Sequence, residues 1–158
     1  AYRMGMLTDN LLLRGHSVKR WCSDLHHLSR KKRHGENHAL EFSDGFNLVF
    51  FSSGLNYKPP FSPLRFLDNT LLAYRFTPEA MQHEAPGVIV CSVPTPEMAR
   101  ASSDMALYFG VPLILAARDE WPEVILDELN GLKKIVVLPV IAWIKMNLKV
   151  AAKRAAHW

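Results

Sequence analysis

The residues best suited to chemistry are Arg118-Asp119-Glu120-Trp121-Pro122-Glu123, which directly follow the apolar run 111–117. A charged pair at the end of a buried strand is costly unless it is paired or used. Asp119 could accept a proton from a substrate hydroxyl or orient it, and Arg118 could hold an anion. Equally, the two could pair with each other or cap the helix that Pro122 begins. A second group is Ser23-Asp24-Leu25-His26-His27-Leu28-Ser29 followed by Arg30-Lys31-Lys32-Arg33. Serine, histidine and clustered cations on a strand-end loop suit a phosphate or diphosphate, which needs donors and positive charge. A solvated basic loop is the simpler reading of the later cations. Adjacent histidines such as His26 and His27 face apart, so no metal site is expected.

The third group lies in the tail. Lys145, Lys149 and Lys153 recur every four residues and share one side of a helix, with Ile141, Ile144, Leu148 and Ala152 on a neighbouring side. A basic amphipathic helix suits an anionic membrane surface. The same pattern also fits a helix packed on a sheet with its lysines in water. Serine-hydrolase chemistry has no support, because no GxSxG elbow is present and Ser92 lacks that context. No GxGxxG or GKS/GKT phosphate loop occurs among the eight glycines.

These groups need a scaffold, and the chain is of a size for one ordinary domain: 158 residues, 49% hydrophobic and 22% charged. The net charge of +4 is mildly basic without selecting a partner, and no nucleic-acid-binding motif accompanies it. Cys22 and Cys91 stand far apart in apolar runs, which suits buried thiols in a reducing cytosol. The apolar stretch 135–150 is broken by Pro139 and Lys145 and falls short of the roughly 20 residues of a membrane span. A cytoplasmic protein, peripheral at most to the inner membrane face, is expected.

Helices are predicted over 4–14 (stopped by Gly15), 64–81, 95–110, 121–129 and 138–157, with Thr95 as N-cap and Pro96 at the first position of the third. Strands are predicted over 16–22, 46–52, 88–91 and 111–117, and residues 23–44 read as a long polar loop. Short apolar strands alternating with helices predict an α/β fold with a parallel sheet and helices on both faces. Ligands in such sheets bind beyond the carboxyl ends of the strands. The predicted division is a domain over 1–137 and a basic helix over 138–158.

With the order Arg14-Gly15-His16-Ser17-Val18, a His/Lys loop, Tyr57-Lys58, Arg65-Phe66, Cys91-Ser92-Val93-Pro94 and Arg118-Asp119-Glu120-Trp121-Pro122-Glu123, the chain resembles the N-terminal, acceptor-side domain of bacterial family 4 glycosyltransferases. These make surface polysaccharides and lipopolysaccharide O-antigens, and the resemblance covers nearly the whole chain. It implies half of a GT-B fold with Rossmann-like domains, a retaining transfer from a nucleotide sugar, and neither metal nor other cofactor. It further implies a lipid-linked or glycan acceptor. Carried over by position, Asp119 would be catalytic, and Arg118, His27, Ser92 and Lys58 would bind substrate. The family's first strand would precede Ala1 and its donor-binding domain would follow Trp158, so the isolated chain is expected to be inactive. The other reading is a non-catalytic α/β module that binds an anionic membrane or a partner, with Lys145, Lys149 and Lys153 as its contacts.

Overall fold

A computed structural model describes residues 3–26, 31–42, 45–55, 63–93, 95–117 and 131–156. They form two compact units, Ala1–Leu72 and Ala73–Trp158. The architecture is mixed α/β, with parallel strand pairs in both units.

In the first unit, helix α1 (Arg3–Leu13) leads into strand β1 (Val18–Ser23). Gly15, at φ 80°, makes the turn between them, a conformation that a side chain would strain. Strand β1 pairs in parallel with β5 (Phe46–Phe51), with Trp21 opposite Val49 and Ser23 opposite Phe51. The Trp21 and Phe51 rings stack at 4.8 Å, adding an aromatic contact to the pairing. Between these strands the predicted long loop is replaced by structure. Short strands β2 (Leu25–His26) and β3 (Lys31–Lys32) pair antiparallel, and β4 (His38–Phe42) runs antiparallel to β5. The reason lies in β4 itself: His38 and Leu40 turn inward while Ala39 and Glu41 face out. That period of two is too short and too polar to stand out as a strand before its partner is known. Thus only β1 and β5 of this sheet are parallel, and its order is β1-β5-β4.

Helix α2 (Pro63–Ala80) follows the prediction closely. The second unit pairs β6 (Ile89–Val93) in parallel with β7 (Leu113–Ala117), joined through helix α3 (Pro96–Phe109). Pro96 opens α3 as predicted, and Gly110 closes it at φ 67°. Thr95, however, makes no side-chain cap bond, although its backbone is extended as an N-cap requires. Helix α4 covers Leu132–Arg154, beginning six residues before the predicted 138. The β-branched run Ile135-Val136-Val137 and the internal Pro139 are poor helix formers, yet the helix runs through them; its buried residues, Ile141, Ile144, Asn147 and Ala151, come after them. The predicted helix at 121–129 lies outside the described residues.

The second unit's core is Cys91, Val93, Ala99, Ala106, Leu113, Leu115 and Ala151, drawn from both strands and both helices. A salt bridge joins the helices on its rim, where Asp104 of α3 meets Arg100 at 3.0 Å and also Arg154 of α4.

Burial raises the Cys91 thiol above its ordinary value of 9.0, with a weaker opposing pull from a hydrogen bond to Ser102. The folded state therefore keeps a proton that the unfolded chain releases. The associated stability is complete below 9.0 and is lost as pH rises above it. The unfolding free energy measured in urea should therefore be lower above that value than below it. The difference should vanish in Cys91→Ala; if it persists there, another group is responsible.

Candidate functional site

Strands β1 and β5 end side by side, and their carboxyl ends are covered by the segment 31–38. Asp24, the first residue beyond β1, holds that cover in place. It is 1% exposed, and its backbone N–H donates to the Phe51 carbonyl at 2.7 Å. Its carboxylate accepts two successive amides, His34 N–H at Oδ1 (2.8 Å) and Gly35 N–H at Oδ2 (2.9 Å). Its carbonyl accepts a third, from Arg33 at 3.1 Å. A buried carboxylate is tolerated only with such a complement of donors.

The end of β5 is fixed with equal care. Ser52 N–H donates to Asn37 Oδ1 at 3.0 Å, and Ser52 Oγ donates to the Gly35 carbonyl at 3.2 Å. Ser53 Oγ donates to Asp68 of α2 and accepts the Leu55 N–H at 3.0 Å. Both Ser53 and Asp68 are buried. Asp24 thus holds the cover and Asp68 the segment after β5, and composition alone distinguishes neither acid.

On this frame stand the cations. Lys32 Nζ donates to the Gly54 carbonyl at 2.8 Å, and Arg33 Nη1 donates to the Ser23 carbonyl at 3.2 Å. The Arg33 guanidinium also lies 5.1 Å from the Phe50 ring centre, a cation–π distance. His34 stacks on His38 at 4.2 Å and tilts against Phe50 at 5.0 Å. Lys31, Arg33 and His34 are exposed. Two successive amides of this kind can cradle an external anion. Here Asp24 occupies them, so an anion would meet side chains: one guanidinium, one ammonium and one imidazole.

Of the residues singled out in the sequence, Ser92 is half-buried on β6, opposite Ala116. It lies one residue from the Val93–Ala117 pair that ends this parallel ladder, and Arg118 and Asp119 follow Ala117 in the chain. His27, Lys58, Arg118 and Asp119 lie outside the described residues. Lys145, Lys149 and Lys153 are exposed on α4. The apolar residues on the neighbouring side face the core: Ile141 and Ile144 are buried, and Leu148 packs against the core cluster. At 3.6 residues per turn, Ile144 lies about 140° from the middle of the lysine row, which turns it into the protein.

Sequence reasoning passed over Asp68, His34 and His38, and in the run from Ser23 it gave the chemistry to serine, histidine and the cations and no role to Asp24. Asp68 had a usable signal, because an acid four residues before Leu72 falls on the buried stripe of α2. Among the described residues no group of three or more His, Cys, Asp or Glu side chains could hold a metal ion. Nor is any helix there long and apolar enough to cross a membrane. Comparison with family models, curated proteins and solved structures finds no match to this chain.

Proposed function

We propose that this chain is the acceptor-side part of a retaining GT-B glycosyltransferase, moving a sugar from a nucleotide sugar to a lipid-linked or polysaccharide acceptor. The observation that carries the reading is the anchored basic cover over the ends of β1 and β5. It presents Lys31, Arg33 and His34 where parallel α/β sheets bind ligands, and their chemistry fits an acceptor diphosphate. In this reading the fold is Rossmann-like, a parallel sheet with helices on both faces. Asp119 receives the acceptor hydroxyl proton, and Arg118, His27, Ser92 and Lys58 hold the acceptor. The nucleotide sugar is held mainly by a further, donor-binding domain, and no metal takes part.

Two measurements test it. Pyrophosphate and a short-chain polyprenyl-diphosphate glycan should shift the amide resonances of residues 31–38, and the double variant Arg33→Ala/His34→Ala should weaken both ligands about tenfold or more. In addition, a protein carrying this chain with a donor-binding domain should release nucleoside diphosphate from a nucleotide sugar only when acceptor is present. No acceptor-dependent release across a broad donor panel would sink the transferase reading, and unmoved resonances at 31–38 would sink the site.

A further inference from the structure

Helix α4 has one face in the core and another in water, and the outer face carries an unusual set of residues. From Leu132 to Arg154 the helix contains six Lys or Arg and no Asp or Glu. Its inner face buries Ile141, Ile144, Asn147 and Ala151. Its outer face exposes Ile135 (63%), Leu138 (54%) and Met146 (54%), together with Ala142, Lys145, Lys149 and Lys153. At 3.6 residues per turn, all seven of these positions fall within about 100° of one another and span about 27 Å of helix. Ile135, Leu138 and Ala142 occupy the first half of the strip, and Met146 lies among the lysines of the second. Arg154, outside the strip, pairs with Asp104.

We infer that this outer face of α4 docks flat on an anionic phospholipid surface, inserting Ile135, Leu138 and Met146 while Lys145, Lys149 and Lys153 engage the headgroups. Charge complementarity selects the occupant. A row of one sign without an interspersed acid matches a uniformly negative surface, and long lysine side chains can lie along the apolar boundary with their ammonium groups in the headgroup layer. A protein partner fits less well, since protein interfaces favour Trp, Tyr and Arg and disfavour Lys. The apolar residues that meet lipid are thus not the buried Ile141 and Ile144. The inference stands whether or not the chain transfers sugar, and its test involves no sugar.

The test is co-sedimentation of the full chain with vesicles of equal parts phosphatidylcholine and phosphatidylglycerol, against vesicles of phosphatidylcholine alone. Binding should require the anionic lipid and weaken with added salt. Lysines near an anionic leaflet each contribute roughly a fivefold factor, so Lys145→Glu/Lys149→Glu/Lys153→Glu should lower partitioning by about a hundredfold or more. Leu138→Ser/Met146→Ser changes exposed residues only, so it should keep the fold by circular dichroism and still lower partitioning at least tenfold. Equal binding to both vesicle types overturns the inference, as does a charge variant that binds normally. Loss with the charge variant but not the serine variant overturns insertion. Sedimentation equilibrium covers the remaining occupant: a dimer abolished by the serine variant would assign the face to a second copy of the chain, against this inference.

Discussion

Replacing Asp24 with alanine is expected to lower the unfolding free energy by about 3–5 kcal/mol, measured by urea denaturation. Hydrogen bonds to a charged group contribute about 1.5–3 kcal/mol each, and the carboxylate of Asp24, a residue 1% exposed, accepts two of them. Its removal leaves the His34 and Gly35 amides without their acceptors. Asparagine has the right shape and keeps one acceptor oxygen, but its NH2 group would face the second amide, donor against donor. About 2 kcal/mol should therefore be lost in Asp24→Asn. Small domains have about 5–15 kcal/mol in total, so the alanine variant approaches the threshold of folding. Hydrogen exchange adds a local check: the amides of His34 and Gly35 should lose protection ahead of the β1–β5 ladder. A loss below about 1 kcal/mol in Asp24→Ala would mean that the cover is not held by this carboxylate.

Leu113→Ala is expected to cost about 3–4 kcal/mol, near the middle of the range for buried leucines. Leu113 is 0% exposed and shares its cluster with Ala99, Ala106 and Ala151, residues that have no side-chain freedom to move into a void. The cavity should stay open. Leu113→Met conserves most of the volume and should lose less than about 1.5 kcal/mol. The Ala156 N–H donates to the Leu113 carbonyl at 2.8 Å, tying the end of α4 to β7, and this bond survives either change. If methionine were as damaging as alanine, shape at this position would matter more than volume.

The helices and the parallel strands could be read along the chain because their signals are local. Gly15 and Gly110 stop helices where the backbone turns left-handed, and Pro96 starts one. Aromatic and β-branched runs mark β5 and β6, and a plain aliphatic run marks β7. Strand β4 could not be read, because five residues with weak alternation become a strand only when β5 lies beside them. The early start of α4 was hidden by Pro139 and by the β-branched residues before it, whose local preference is against helix. The candidate site divides in the same way. Its cations were visible as a run, whereas the bonds that place them join residues nine or more positions apart, as from Asp24 to Arg33, His34 and Gly35. On α4 the spacing of the lysines was correct, but which apolar residues share their face depended on which side the core claimed.

Because Asp24 takes the backbone of the cover for itself, the scaffold and the recognition groups are separate sets of atoms. Lys31 and His34 can change identity without disturbing the amides that hold the loop, since those amides belong to every residue type except proline. Such a loop is free to diversify: its exposed side chains can change while the two strand ends beneath stay fixed, and under the proposed function such changes would exchange one ligand preference for another. The evolutionary constraint then falls on a residue that never meets a ligand. Among relatives with different specificities, the buried acid at 24 and the glycine at 35 should be the positions that stay the same, while the exposed ones between β3 and β4 drift.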